Sequence, residues 1–258
     1  MSTETTAPLR GRTAIVTGGA TGIGAAITRR LLDDGARVLV AARSQSELEG
    51  GPGEADRCRG FAGDLADPDG ARAMLASAIE AFGGVDILVN NAGGGVIRPT
   101  LEHTEKSLQA TVNNNLWTTI RCCLAVLPHL CERGGGRIVN IGAESVRNGL
   151  RDHAIYNAAK GGVHGLTTGL AREFAPQGVT VNVVAPSYVV TPSVEQAQRS
   201  GQIPAALARV LDEAVALIPM GRPGEVAEVA AAVAFLARED AGFVTGQVIG
   251  VNGGSSMG

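Results

Sequence analysis

Short apolar runs alternate with amphipathic stretches along almost the whole chain, and that alternation predicts an order of elements. Residues 12–17 form a brief aliphatic and β-branched run without polar alternation, which predicts a parallel strand buried on both faces. A helical period follows to about residue 34, and further strands are predicted at 37–42, 58–62, 85–90, 137–141, 180–184 and 247–251. Helical periodicity recurs at 68–82, 105–131, 154–174 and 225–237, while 186–223 reads as irregular with short helical pieces. Strands that alternate with helices predict an α/β fold, a doubly wound parallel sheet in three layers (α/β/α). Right-handed crossovers then place the strand ends, and any ligand, along one edge. No Pro/Gly/Ser linker divides the chain, so the expectation is a flexible tail at 1–9 and one domain over 10–258.

Composition narrows the function. The chain has 258 residues, 45% hydrophobic and 18% charged, which suits one large globular domain. A formal net charge of −3 gives no general surface for nucleic acid or anionic membranes. No apolar run approaches the ~20 residues that span a bilayer, and the polar start carries no signal-peptide core. Cys58, Cys122, Cys123 and Cys131 have neither metal-site spacing nor a disulfide framework, so we expect a cytoplasmic protein without a metal. The adjacent Cys122 and Cys123 read as small residues in or near the core.

The 36 glycines follow no collagen-like period and must serve particular turns. A cluster of them sits in Thr17-Gly18-Gly19-Ala20-Thr21-Gly22-Ile23-Gly24, between the first strand and the first helix. Strand, glycine turn, helix and strand make a βαβ unit of Rossmann type. Its glycines let the backbone approach a pyrophosphate, and the helix start offers free N–H groups. Farther on, Tyr156 and Lys160 stand four apart in a helical stretch and therefore on one face. An ammonium beside a phenol favours the phenolate, so the lysine is expected to lower the tyrosine pKa and make an acid/base unit.

In this order the motifs resemble the short-chain dehydrogenase/reductase family over about residues 10–254. They are Thr17 to Gly24, Asp64 after the third strand, Asn90-Asn91-Ala92-Gly93 after the fourth, Asn115, Tyr156 with Lys160, Pro186 with Thr191, and Gly253-Gly254. The resemblance implies an oxidoreductase acting on CH–OH groups with a nicotinamide dinucleotide. Gly18, Thr21, Gly22, Ile23 and Gly24 would form the pyrophosphate turn. Asp64 with Leu65 would meet the adenine, and Asn91, Ala92 and Gly93 would support the adenosine side. Pro186, Val189 and Thr191 would flank the nicotinamide. Tyr156 would exchange the proton, Lys160 would bind the nicotinamide ribose, and Asn115 would hold a water in a proton relay.

Two positions depart from the family pattern. Ala143 stands where a serine usually binds the substrate oxygen, and Ser187 stands where glycine usually follows Pro186. Alternate residues of an extended chain face one way, so a local bulge would let Ser145 supply the hydroxyl; otherwise Ser145 is a polar loop residue. Glu144 is a third candidate, although a carboxylate there would repel a developing alkoxide unless protonated.

At the end of the second strand Ala42 replaces the acid of NAD-specific members, and Arg43 and Ser44 follow. A missing carboxylate and a neighbouring guanidinium favour a 2′-phosphate, so NADP(H) is preferred and NAD(H) remains open. For the substrate, residues 145–153 carry Arg147, Arg151 and His153, which either bind an anionic group or face solvent. The stretch near 186–223 would form a lid shaped by Pro204 and Pro219, with an apolar pocket wall. The leading expectation is hydride transfer between NADP(H) and a secondary alcohol or ketone. The alternatives are an NAD-dependent dihydrodiol dehydrogenase, a 3-oxoacyl-carrier-protein reductase and a catalytically impaired dinucleotide-binding regulator. A small-molecule substrate, no nucleic acid, no membrane and a homotetramer complete the expected partners.

Overall fold

The computed structural model describes residues 7–49, 51, 56–202 and 205–257. The first half comprises β1 (Thr13–Thr17), α1 (Gly22–Asp33), β2 (Arg37–Ala42), the single turn α2 (Gln45–Leu48), β3 (Cys58–Ala62), α3 (Pro68–Phe82) and β4 (Ile87–Asn90). The second half begins with α4 (Glu105–Val112), a π turn at Asn113–Trp117, α5 (Thr118–Glu132), β5 (Gly136–Ile141), the single turn α6 (Ser145–Asn148), α7 (Ala154–Phe174) and β6 (Val179–Pro186). It ends with β7 (Val189–Val190), α8 (Pro192–Arg199), α9 (Ala205–Ala216), β8 (Gly224–Glu225), α10 (Val226–Ala237) and β9 (Val248–Val251). Seven strands pair in parallel in the order β3-β2-β1-β4-β5-β6-β9.

The strands are continuous apolar runs because both faces of the sheet are covered. Ala14, Val16, Val38, Val40, Val89 and Val139 pack beneath α1 and α10, whose Ile27, Leu31, Val229 and Val233 complete that core. The intervening residues, among them Ile15, Leu39, Leu88 and Ile138, face α3, α5 and α7. Each fully buried aliphatic side chain contributes roughly 1.5–3 kcal/mol, so a one-residue slip of register would move whole rows to the wrong core. Order reverses between β1 and β4, which leaves a crevice at the carboxyl ends of the strands.

Several boundaries differ from the sequence expectation. Residues 1–6 and Pro204 lie outside the described residues, whereas the end of the expected tail is anchored: Leu9 is buried and its N–H donates to Asp34 O at 2.8 Å. The expected helix at 105–131 is interrupted by the π turn. Asn115 Nδ2 donates to Thr111 O at 2.8 Å, and Thr118 Oγ1 donates to Asn113 O at 2.9 Å, so side chains take carbonyls that a regular helix would use itself. The stretch after β6 is more regular than expected. It forms α8 and α9, and β7 pairs with β8 to close its base, Val189 opposite Gly224.

Candidate active site

The crevice opens from the glycine turn after β1. Gly18 and Gly22 have φ of 61° and 54°, the left-handed region that glycine adopts without strain. Gly24 is required by contact rather than by φ: a Cβ there would stand 2.0 Å from Gly18 O and 2.5 Å from Asn91 Nδ2. The turn is tied to the end of β4. Asn91 Nδ2 donates to Thr17 O at 3.0 Å and to Gly18 O at 3.1 Å, while Thr17 Oγ1 accepts from the N–H of Asn91 and Ala92. Bare backbone at a helix start fits a dinucleotide pyrophosphate.

This turn forms one end of a cavity of about 500 Å³. Thr21, Ile23, Arg43, Asp64, Leu65 and Thr191 lie on its wall, together with Asn91, Ala92 and Gly93, and then Asn115, Tyr156, Lys160 and Pro186. Gly22 shapes the turn without lining the cavity, and Thr191 Cγ2 would lie 3.5 Å from a Cβ on it. Two expected cofactor residues stand elsewhere. Val189 is buried in the core beside α10 because its strand pairing with β8 turns it inward. Ser44 precedes α2, and its hydroxyl is 3.0 Å from Ser46 Oγ. Asp64 Oδ1 accepts from Ala66 N–H at 2.9 Å, so this carboxylate also holds its own turn.

Glu47, Asn114 and Thr118 are among the wall residues that went unread in the sequence. Glu47 Oε2 accepts from Arg43 N–H at 3.1 Å, and Asn114 Oδ1 is 3.4 Å from Arg43 Nη2. Glu47 does carry a signal, since Ser44 and Glu47 have capping-box spacing. The carboxylate reaches Arg43 N–H instead of the cap residue's own N–H. Asn114 carries none, because only the π turn brings it to the cavity.

Tyr156 and Lys160 project from the first turns of α7. Lys160 is buried, its Nζ donates to Ile141 O at 2.7 Å, and burial pushes its pKa down to about 8. Tyr156 is half-buried, with His153 edge-on at 6.0 Å, and its phenol is pushed up to about 12 by desolvation. The expected lowering of the tyrosine pKa by the lysine is therefore not what this protein alone displays. The ammonium is spent on the β5 carbonyl and lies 5.9 Å from the phenol ring centroid, so desolvation wins. Asn115 is wholly buried. Its Oδ1 accepts from Gly94 N–H at 3.2 Å and its Nδ2 donates to Gly94 O at 3.0 Å, which braces the loop after β4 against the π turn.

A second cavity of about 360 Å³ adjoins the first, and Gly94, Ala143, Tyr156, Pro186 and Ser187 line both. Its other walls include Ile97, Leu150, Tyr188, Leu211 and Ala214, together with Arg151, His153 and Glu213. Arg147 is exposed and lines neither cavity. The extended geometry expected around Ser145 is not formed. Glu144 has helical dihedrals, Ser145 opens α6, and Ser145 Oγ donates to Asn157 Oδ1 at 2.6 Å. Its proton is thus committed to α7, although the residue lines the second cavity. Ser187 is accommodated, its N–H donating to Val251 O at 3.2 Å. Cys122 and Cys123 are buried, and burial pushes both thiols up. Among the described residues no His/Cys/Asp/Glu group could hold a metal, and no helix is long and apolar enough to cross a membrane.

Comparison with known proteins finds relatives over nearly the whole chain. A family described as Enoyl-(Acyl carrier protein) reductase matches residues 18–256. A 2,3-dihydroxy-2,3-dihydro-p-cumate dehydrogenase of Pseudomonas putida is 54% identical over 97% of this chain and 96% of its own length. A 3-oxoacyl-[acyl-carrier-protein] reductase of Vibrio cholerae is 39% identical over 96% of this chain and 99% of its own. Among solved structures, that of gox2181 superposes with a TM-score of 0.84 at 33% identity, covering 97% of each chain.

Proposed function

The chain belongs to the short-chain dehydrogenase/reductase family, and on that premise we propose that it moves a hydride between NADP(H) and a secondary alcohol or ketone, its own substrate being a ring dihydrodiol that bears a carboxylate. The observation that carries the reaction type is Tyr156 standing in the wall between the two cavities. One is lined by the glycine turn and suits a dinucleotide; the other is largely apolar and suits a small ring.

In the oxidative direction the carbinol C–H gives up hydride, its O–H gives a proton to Tyr156 in its phenolate form, and a C=O bond forms. The dinucleotide supplies the hydride acceptor. With a pKa near 8, Lys160 is largely an ammonium at neutral pH and favours the phenolate whenever Tyr156 must ionise. Asn115 holds the loop that separates the cavities and would carry the outer end of a proton relay. The substrate class rests on the Pseudomonas putida relative, whose name describes a ring diol with a carboxylate, and on Arg151 and His153, which can receive that carboxylate. Leu211 and Ala214 of α9 lie over the second cavity as a lid would. A single domain assembled as a homotetramer completes this reading; a monomeric mass by light scattering would contradict the assembly.

The preference for NADP(H) rests on Ala42, which leaves no acid at the end of β2, and on the exposed Arg43 beside the cavity. Glu47 favours a second reading, NAD(H), because its carboxylate lines the same wall and could accept from a ribose hydroxyl. The test is fluorescence titration with NADPH and NADH, followed by turnover of a benzoate-derived dihydrodiol with each oxidised dinucleotide. We expect tighter NADPH binding that Arg43→Ala selectively weakens, and oxidation of the diol. Equal or tighter NADH binding overturns the NADP(H) assignment, and activity only on 3-oxoacyl thioesters overturns the substrate class. Binding without turnover of any alcohol or ketone would leave a regulatory protein.

A further inference from the structure

Where the family pattern has a substrate-binding serine, this chain has Ala143, and the residue after it is unusual for its surroundings. Glu144 is 1% exposed, and neither of its carboxylate oxygens finds a hydrogen-bonding partner among the described residues. It lines the second cavity beside Tyr156. Its backbone is held firmly, with the N–H donating to Pro186 O at 2.9 Å and the carbonyl accepting from Arg147 N–H at 2.8 Å. Glu144 also has company. Asn148 Oδ1, Tyr188 Oη and Ser255 Oγ are likewise buried without a partner, and all three residues line this cavity. Buried polar atoms are normally satisfied, and an unpaired carboxylate is the costliest of them. Four residues that line one cavity thus hold polar atoms without partners, which a polar ligand entering it would satisfy.

We propose that Glu144 recognises a vicinal diol, accepting a hydrogen bond from the hydroxyl next to the one that is oxidised. This inference rests on the dihydrodiol reading of the same site. Two carboxylate oxygens without partners can accept hydrogen bonds from a ligand that brings O–H or N–H donors. The lining carries Arg151 and His153 but also Glu213, so its charge does not select among donors; the ring dihydrodiol reading supplies O–H groups. The hydroxyl under oxidation loses its proton, and a carboxylate beside it would oppose the developing alkoxide. The neighbouring hydroxyl keeps its proton throughout and can donate to Glu144 before and after hydride transfer. Glu144 is thereby a specificity residue: it favours a diol over a mono-alcohol and over a 3-oxoacyl chain, which lacks that donor.

The test compares kcat/KM on a benzoate-derived ring dihydrodiol with kcat/KM on the ring mono-alcohol that lacks the second hydroxyl. The proteins are wild type, Glu144→Gln and Glu144→Met, each also melted and titrated with dinucleotide. A hydrogen bond to a charged group implies that wild type prefers the diol by about 10–100-fold. In Glu144→Met the preference should collapse towards unity while the melting temperature rises, because among the described residues no partner loses a bond. Glu144→Gln should lose part of the preference, and it decides the matter if the Met variant fails to bind dinucleotide. An unchanged diol preference in the variants overturns the inference alone, as does a fall in melting temperature with no change in preference. A wild type that does not oxidise the diol at all defeats the dihydrodiol reading and this inference with it.

Discussion

Replacing Asn115 by alanine separates bracing from proton relay more sharply than any other single change. The side chain is wholly buried and makes three bonds to main chain: Oδ1 accepts from Gly94 N–H at 3.2 Å, and Nδ2 donates to Gly94 O at 3.0 Å and Thr111 O at 2.8 Å. Each such bond contributes about 1 kcal/mol net, so removing all three should cost about 3 kcal/mol. For a chain of this size that lowers the melting temperature by about 6–12 °C. The loop after β4 should loosen with it, because a methyl on Gly93 would already lie 2.7 Å from Asn115 Oδ1 and 3.4 Å from Lys160 Nζ. A displacement of about 1 Å there should reduce kcat on the order of 10²-fold. Asn115→Asp should be at least as unstable, since it turns an acceptor towards Gly94 O and Thr111 O. Thermal unfolding by circular dichroism, run beside steady-state kinetics, gives both numbers. If kcat collapses while the melting temperature of Asn115→Ala moves by less than about 2 °C, the bracing argument is refuted and Asn115 acts only through the relay.

Three further outcomes follow from the same geometry. Gly24→Ala places a methyl 2.0 Å from Gly18 O and should cost about 1–3 kcal/mol as overpacking; dinucleotide affinity, read by nicotinamide fluorescence, should fall sharply, and an unchanged affinity would contradict the fitted turn. Tyr156→Phe should lower kcat by about 10²–10⁴-fold while dinucleotide affinity holds; stopped-flow hydride transfer checks it, and residual activity near wild type would remove Tyr156 from the proton path. Stability should also respond to pH through Lys160, whose folded pKa of about 8 lies below its ordinary 10.5. Below about 8 both states hold the proton and the full burial penalty applies; between about 8 and 10.5 only the unfolded chain holds it, so the penalty lifts as pH rises. Lys160→Met should therefore be more stable than wild type near neutrality by on the order of 3 kcal/mol, and urea titrations should show that gap narrowing above pH ~8. A gap that is constant with pH would mean that the buried ammonium is not the cause.

Much of the fold was written in local pattern. The runs that became β1, β2 and β3 and the periods that became α3 and α7 are short-range signals, and the buried parallel sheet follows once both of its faces must be covered. The glycine turn and the Tyr156/Lys160 face are likewise local spacings. So is the missing acid at Ala42, which made the NADP(H) preference a question that could be asked of the sequence.

Tertiary structure decided what depends on neighbours distant in the chain. Desolvation by packed surroundings, with the β5 carbonyl at Ile141 taking the ammonium, set Tyr156 near 12 and Lys160 near 8, against a spacing that predicted the tyrosine to fall. Ser145 spends its proton on Asn157 because the backbone turns helical at Glu144, and Val189 leaves the site because its strand pairs with β8. Side chains that capture carbonyls made the π turn and carried Asn114 to the cavity. Glu144 shows the division most plainly. Its carboxylate is visible in the chain, but only the packing of the assembled elements around it removes water and hydrogen-bonding partners together. Periodicity reports which face of an element is apolar; it does not report which polar atoms the assembled faces will leave unpaired.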